Sequence, residues 1–220
     1  LRKQVPSYQL AGAREFCEVL RMSAGQTPRD TPLSLDDLAF LQYTGGTTGV
    51  AKGAMLSHGN MVANVLQSNE WIESSFLQGR GTLITALPLY HIFALTANCL
   101  LFLRLGWRNI LIVNPRDFPA FVKELKRYPF QFISGVNTLF NALLHTPGFD
   151  KLDFSTLRVT LGGGMAVQET VAKRWKAVTG KVLTQAWGLT ETSPAACINI
   201  PNVDFNGSIG LPISSTDISI

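Results

Sequence analysis

The chain has 220 residues, of which 46% are hydrophobic and 15% are charged, so it can bury a core and is not a mainly disordered protein. Its formal net charge of +4 comes from basic residues in small groups, which suits anionic small molecules or an acidic membrane surface and does not require nucleic acid. The three cysteines, Cys17, Cys99 and Cys197, lie too far apart for a disulfide framework or a zinc motif, so we expect a reducing, cytoplasmic setting.

The first part of the chain predicts a connector followed by a strand, a loop and a helix. Residues 1–36 contain repeated proline turns and predict an irregular segment with one short helix near Ala13–Met22. Residues 37–79 predict a strand over Leu38–Tyr43, a loop rich in glycine and threonine over 44–53, and a helix from about His58 to Phe76 that Ser57 caps.

Residues 80–205 predict a βα-repeat subdomain, because short apolar runs alternate with amphipathic stretches. The predicted strands cover residues 82–87, 109–113, 131–134, 158–161 and 181–186. The predicted helices cover residues 92–103, 118–125, 136–144 and 167–178. This alternation is typical of the α/β class, with a mostly parallel sheet and helices on both faces. Since such sheets bind ligands beyond the carboxyl ends of their strands, the site is expected in loops 88–91, 135–137, 162–166 and 187–191.

The longest apolar segment and the two ends of the chain give further predictions. The apolar segment Ile92–Leu103 is shorter than the roughly 20 residues of a membrane span, so it predicts a core helix. Residues 206–220 predict the start of a further β region, in which the alternating residues 217–220 form a strand with no turn after it. Because the chain also begins with Leu1, we expect an internal piece of a longer protein.

The strongest chemical signal is the run from Tyr43 to Gly53. Its candidate phosphate-binding residues are Thr44, Gly45, Gly46, Thr47, Thr48, Gly49 and Lys52. Glycines let the backbone approach a phosphate closely, the threonines add hydroxyl donors, and the lysine adds a cation. The spacing is not that of a Walker A loop, in which the lysine follows the last glycine directly. The alternative is a flexible surface turn.

This run resembles the phosphate loop of adenylate-forming enzymes, and four more motifs of that family follow in order. They are PLYH at 88–91, GGG at 162–164, QAWGLTE at 185–191 and GSIGLP at 207–212. Two longer stretches, 86–95 and 135–143, resemble the bacterial long-chain fatty-acid–CoA ligases more closely. The resemblance extends from about Val5 to the end of the chain. It implies that the chain forms part of the large N-terminal domain of an adenylate-forming enzyme.

Three residues are candidates for the chemistry itself. Thr190 and Glu191 follow a predicted strand, where the hydroxyl can bind a phosphate oxygen and the carboxylate can approach phosphates through Mg²⁺, which makes Glu191 the predicted metal ligand. The alternative is a pair that caps a helix. A lone histidine such as His91 is more often structural, but the resemblance implies a neutral donor or orienting group near the reacting carboxylate and the α-phosphate.

Further residues are candidates for binding adenine. The resemblance assigns Gly162, Gly163 and Gly164 to an adenine-contacting turn, and the alternative is close packing of a strand against a helix. Val167 stands where a dinucleotide fingerprint needs glycine or alanine, which disfavours a nicotinamide site. Trp187, followed by Gly188, stands where the family has tyrosine and keeps a flat face for a purine, and the alternative is a core tryptophan.

The resemblance implies a ligase of fatty-acid metabolism that uses ATP, Mg²⁺ and coenzyme A. A fatty carboxylate attacks the α-phosphorus of ATP to give acyl-adenylate and pyrophosphate, and the thiol of coenzyme A then displaces AMP. The glycine-rich loop with Lys52 would hold the β- and γ-phosphates and Glu191 would hold Mg²⁺. The resemblance also implies peripheral association with the inner face of the cell membrane and a homodimer.

Parts of the family's site are not in this sequence. Its ribose-binding aspartate and the lysine of its small C-terminal domain would lie beyond residue 220, so we expect residues 1–220 alone to be inactive. Two alternatives stay open at this point. One is an adenylating enzyme that passes its acyl group to a carrier protein, and the other is a non-catalytic fragment that binds a nucleotide or an acyl group.

Overall fold

The computed structural model describes residues 9–44, 51–73 and 80–219. The chain divides into two compact units, Leu1–Leu33 and Ser34–Ile220. The first unit contains helix α1 (Phe16–Met22), whose residues are all exposed to solvent. The predicted short helix is therefore confirmed, with a start three residues later than expected.

The second unit begins with an antiparallel hairpin of β1 (Leu38–Thr44) and β2 (Lys52–Ser57). The sequence predicted β1 but not β2, because β2 forms by pairing with β1 rather than from a strong alternation of its own. Helix α2 (His58–Glu73) follows at once. The hydroxyl of Ser57 accepts a hydrogen bond from the Asn60 backbone N–H at 3.2 Å, which confirms Ser57 as its cap.

The remaining strands form one seven-stranded sheet. They are β3 (Thr82–Thr85), β4 (Arg108–Leu111), β5 (Phe132–Gly135), β6 (Val159–Gly162), β7 (Leu183–Gly188), β8 (Ala195–Ile198) and β9 (Leu211–Pro212). Their order is β4-β3-β5-β6-β7-β8-β9, with parallel pairing from β4 to β7 and antiparallel pairing for β8 and β9. The predicted α/β class and mostly parallel sheet are therefore confirmed.

The strand predicted over 217–220 is wrong for residues 217–219, which have no regular structure. A strand needs a neighbour to satisfy its backbone groups, and no described strand pairs with these residues. Ile220 lies outside the described residues.

Helices cover both faces of the sheet. After α2, the α- and π-helical elements are α3 (Ile92–Ala94), a π-helical segment (Leu95–Leu100), α4 (Leu101–Arg104), α5 (Phe118–Arg127), α6 (Asn137–Leu144) and α7 (Glu169–Thr179), and a short 3₁₀ helix covers Phe149–Lys151. On one face, residues such as Ile84 and Ile133 pack in a core with side chains of α5, α6 and α7. On the other face, their neighbours Leu83 and Phe132 pack with side chains of α2, α3 and α4. Because successive side chains of a strand point to opposite faces, both cores form from the same strands.

The segment from Ile92 to Phe102 packs into the core against the sheet, as the sequence predicted for a core helix, whereas Leu103 at the end of the predicted helix is exposed. Its π-helical part contains Asn98, which is completely buried and binds two strands. The Asn98 amide donates to the Thr85 hydroxyl at 3.0 Å and its carbonyl accepts from the Ser134 hydroxyl at 2.8 Å. Within the described ranges, no helix is both long enough and apolar enough to cross a membrane.

Candidate functional site

A cavity of about 610 Å³ opens at the carboxyl end of the sheet, beside the start of α3 and one side of α2. The predicted site residues that line it are Thr44, His91, Gly163, Gly164, Trp187, Gly188, Thr190 and Glu191. These residues come from segments up to 147 positions apart in the sequence (44 to 191), yet the sheet brings them to one edge. Three of the four predicted loops therefore contribute to a single cavity.

Two predicted binding residues do not line the cavity. At Gly162 an added β-carbon would lie 2.8 Å from the Val167 side chain and 3.4 Å from Leu183, so this glycine faces the core. This is the close packing given above as the alternative for that residue. Lys52 is exposed at the start of β2, where it pairs with Thr44.

Five residues of the predicted phosphate loop, Gly45, Gly46, Thr47, Thr48 and Gly49, lie outside the described residues. The described residues on either side of them include Thr44 and Lys52, which pair with each other in the hairpin. The Thr44 hydroxyl donates to the Lys52 carbonyl at 3.3 Å, and Thr44 itself lines the cavity.

His91 occupies the N-cap of α3 at the mouth of the cavity, where it is exposed. Its Nδ1 accepts a hydrogen bond from the Phe93 backbone N–H at 3.2 Å. A nitrogen that accepts cannot carry a proton, so the neutral ring holds its hydrogen on Nε2. The preceding residue is also held, because the Gln42 amide donates to the Tyr90 carbonyl at 2.6 Å. The ring is thus arranged to present an Nε2–H donor.

Thr190 and Glu191 begin a short 3₁₀ turn, Thr190–Thr192, immediately after β7 and Leu189. The hydroxyl of Thr192 accepts from the Leu189 backbone N–H at 2.9 Å, so Thr192 caps this turn and Glu191 does not. Among residues 9–44, 51–73 and 80–219, the Thr190 hydroxyl and the Glu191 carboxylate have no hydrogen-bond or ion-pair partner. An exposed carboxylate and a hydroxyl that no described residue engages therefore lie at the cavity.

The wall beside them combines one aromatic side chain with bare glycine backbone. Trp187 is 39% exposed on β7 and lines the cavity, so it is not a core tryptophan. An added β-carbon at Gly163 would lie 3.1 Å from the Phe93 ring and 3.3 Å from the Ala186 carbonyl oxygen, so only glycine leaves this surface bare. An aromatic face and bare backbone together form a surface on which a planar ring can stack.

Sequence reasoning missed two buried side chains that shape the cavity. The Asn64 amide on α2 donates to the Ala195 carbonyl at 2.8 Å and accepts from its N–H at 3.1 Å. The Thr96 hydroxyl in the π-helical segment donates to the Ser193 carbonyl at 2.9 Å. Their partners lie 131 and 97 residues away, so no local pattern indicates them.

The donors available fit Mg²⁺ in one particular mode. No group of three or more histidine, cysteine or acidic side chains that could hold a metal occurs in the described part of the chain. Mg²⁺ does not need such a cage, since it commonly binds through one or two carboxylates, waters and the phosphates of a substrate. The Glu191 carboxylate, which has no partner among the described residues, suits that mode together with the Thr190 hydroxyl beside it.

The chain matches known proteins along nearly its whole length. The family model described as "AMP-binding enzyme" matches residues 3–220. A long-chain-fatty-acid–CoA ligase of Haemophilus influenzae is 54% identical over 100% of this chain, which spans 40% of that relative's length. The crystal structure of ATP-bound MatB from Rhodopseudomonas palustris aligns with a TM-score of 0.75 and 28% identity, covering 89% of this chain and 38% of that one.

A second solved structure agrees in fold. The anthranilate CoA ligase AuaEII in complex with anthranoyl-AMP aligns with a TM-score of 0.79 and 21% identity, covering 95% of this chain and 40% of that chain. At this identity the likeness concerns the fold alone. It agrees with the predicted α/β fold with a mostly parallel sheet.

Proposed function

The chain belongs to the family of AMP-binding enzymes, and from that premise we propose that the whole protein is a long-chain fatty-acid–CoA ligase. In the first step a fatty carboxylate attacks the α-phosphorus of ATP, which forms acyl-AMP and releases pyrophosphate. In the second step the thiol of coenzyme A attacks the acyl carbon, which forms the thioester and releases AMP. The similarity of the whole chain to enzymes that bear this name supports the proposal.

The observation that carries the proposal is the composition of the cavity. The polar side chains of His91, Thr190 and Glu191 line the same cavity as the Trp187 ring and the bare backbone of Gly163. The wall suits a purine, and the polar groups suit the phosphates and the reacting carboxylate. A cavity of about 610 Å³ is within the range of ordinary small-molecule sites.

Adenylation brings a carboxylate onto a polyanion, so catalysis depends mainly on charge neutralisation and in-line positioning. The Glu191 carboxylate would hold Mg²⁺ together with the substrate phosphates, and the bound ion would supply charge neutralisation. The Thr190 hydroxyl donates to a phosphate oxygen. The Nε2–H of His91 donates to an oxygen of the reacting carboxylate or the α-phosphate, in the orientation that its bond to Phe93 imposes.

The nucleotide is bound by the remaining candidate residues. Adenine lies between the Trp187 ring and the backbone at Gly163 and Gly164, with Gly188 beside it. The glycine-rich loop and Lys52 hold the β- and γ-phosphates. Lys52 has no ion-pair partner within the described ranges, so its ammonium is available for this role.

The cellular setting is a further part of the proposal. We place the enzyme in the cytoplasm as a homodimer, peripheral on the inner face of the membrane, with no nucleic-acid partner. An exposed basic group supports contact with anionic lipids: the guanidinium groups of Arg108 and Arg127 lie 5.8 Å and 5.1 Å from the Tyr128 ring centre, with Lys123 and Lys126 on the same helix as Arg127.

Thioester formation by the whole protein tests the proposed activity. The protein is incubated with ATP, Mg²⁺, coenzyme A and saturated fatty acids of increasing length, and products are identified by mass spectrometry. We expect acyl-CoA and AMP, with the highest rates for long chains. Acyl-adenylate that is transferred only to a carrier protein would support the other adenylating chemistry, and the absence of any acyl-adenylate would refute the proposal.

Glu191→Gln tests the site. The change preserves shape and removes the charge, so adenylation should fall sharply and recover partly at high Mg²⁺, because the lost ligand mainly weakens metal affinity. Glu169→Gln is the matched control. The Glu169 carboxylate lies 2.7 Å from the Lys173 ammonium in an exposed ion pair, and neither residue lines the cavity. Wild-type activity of Glu191→Gln at limiting Mg²⁺ would show that Glu191 is not a ligand.

A further inference from the structure

A buried hydrogen bond joins the two segments that carry the catalytic candidates. Thr96 follows His91 by five residues on the same helical segment and is completely buried. Its hydroxyl donates to the backbone carbonyl of Ser193 at 2.9 Å. Ser193 is 4% exposed and ends the short turn that carries Thr190 and Glu191. The bond therefore links the His91 helix to the Glu191 turn.

Ser193, which accepts this bond, has an unfavourable backbone conformation that contacts must stabilise. Ser193 has φ 74° and ψ 25°, in the left-handed region that a serine seldom occupies without stabilising contacts. Its carbonyl is buried, so it cannot exchange the Thr96 bond for one to bulk water. Without the Thr96 hydroxyl, the carbonyl would lose a partner and the turn would gain other accessible conformations.

We propose that Thr96 is a positioning residue that holds the Glu191 carboxylate in place for Mg²⁺. This inference rests on the proposed function, because it takes Glu191 as the metal-holding carboxylate. Thr96 lines the cavity, but its hydroxyl is directed to the protein backbone, so it acts through the turn. Glu191 has no described partner of its own to fix its position. Its placement therefore depends on the backbone that Thr96 holds.

The test measures metal-dependent nucleotide binding rather than turnover. In the whole protein, binding of a non-hydrolysable ATP analogue is followed by isothermal titration calorimetry at a series of Mg²⁺ concentrations, with no acyl substrate. Thr96→Val removes the hydroxyl and keeps the shape. A buried neutral hydrogen bond changes an equilibrium constant by roughly two- to ten-fold, so we expect the half-saturating Mg²⁺ concentration to rise about five-fold. Thr96→Ser restores the hydroxyl and should stay within about two-fold of wild type.

The matched control is Thr179→Val. Thr179 is also buried and donates its hydroxyl to a backbone carbonyl, that of Trp175 at 2.8 Å, but it lies at the end of α7 away from the cavity. Both valine variants should lower the melting temperature, and only Thr96→Val should shift the Mg²⁺ dependence. If Thr96→Val does not fold, Thr96→Ala carries the same expectation because it also lacks the hydroxyl.

A double-mutant cycle separates this inference from the proposed function. With Glu191→Gln already present, Thr96→Val should change the Mg²⁺ dependence by less than about two-fold, because the carboxylate it positions is gone. Suppose that Thr96→Val lowers only the melting temperature, while Glu191→Gln still raises the half-saturating Mg²⁺ concentration. Thr96 is then merely structural and the inference is wrong. If Glu191→Gln itself leaves Mg²⁺ dependence unchanged, the metal role in the proposed function fails and the inference fails with it.

Discussion

Substitution of Gly163 by alanine should weaken ATP binding, and the distances around this glycine set the size of the effect. In Gly163→Ala the new β-carbon would meet the Phe93 ring at 3.1 and 3.2 Å and the Ala186 carbonyl oxygen at 3.3 Å. The carbonyl belongs to β7 and cannot move freely, so the Phe93 ring must shift, and Phe93 also lines the cavity. Overpacking of this kind costs about 1–3 kcal/mol.

A bound purine would occupy the space into which the ring must move. Part of the strain therefore falls on the complex, and a loss of about 1.4 kcal/mol corresponds to a ten-fold weaker affinity. Titration calorimetry with ATP on the whole protein measures this change, and thermal unfolding measures the loss of stability. We expect the dissociation constant for ATP to rise about ten-fold and the melting temperature to fall.

The control for this experiment is Gly135→Ala. An added β-carbon at Gly135 would lie 2.8 Å from Leu139 and 3.0 Å from Phe140, so the crowding is similar, but these residues do not line the cavity. Gly135→Ala should lower the melting temperature without lowering the affinity for ATP. Equal effects of both variants on ATP affinity, or no effect of Gly163→Ala, would refute a purine site at this wall.

Three further predictions concern the phosphate loop, the core and the cysteines. Lys52→Ala should lower kcat/KM for ATP by about one to two decades in steady-state kinetics, the effect of losing a charge-assisted phosphate contact, and an unchanged value would exclude Lys52 from the site. Trp175→Ala should cost about 3–5 kcal/mol in urea unfolding. The Trp175 ring is 1% exposed, packs on Phe140 at 4.8 Å and donates to the Thr160 hydroxyl, so a loss below about 1 kcal/mol would contradict this packing. Iodoacetamide should label exposed Cys17 before Cys197, because burial raises the pKa of the Cys197 thiol; equal labelling by peptide mass spectrometry would contradict this.

Hydrophobic periodicity predicted most of the fold because the elements concerned bury one face. An apolar stripe of Phe118, Phe121, Val122 and Leu125 predicted α5, and the structure buries all of these except Phe118, which is half-buried. The method fails where an element depends on its neighbours. Strand β2 forms because β1 lies beside it, and residues 217–219 form no strand because no described strand does.

The candidate site was predictable where side chains or glycines carry the chemistry directly. Eight predicted residues line one cavity, His91 and Glu191 among them. The three glycines at 162–164 could not be told apart in the sequence, because glycines have no side chain to reveal which face they share. Only the structure separates Gly162, which faces the core, from Gly163, which faces the cavity. The sequence did not indicate Thr96, because its role depends on a hydrogen-bond partner 97 residues away in the chain.

The central claim is that the cavity binds an adenylate. A crystal structure of the whole protein with a non-hydrolysable acyl-adenylate analogue tests this directly. We predict that the adenine lies between the Trp187 ring and the backbone of Gly163 and Gly164, and that the group replacing the phosphate lies within hydrogen-bond distance of His91 Nε2. An analogue bound elsewhere, or one that contacts neither Trp187 nor His91, would contradict the account.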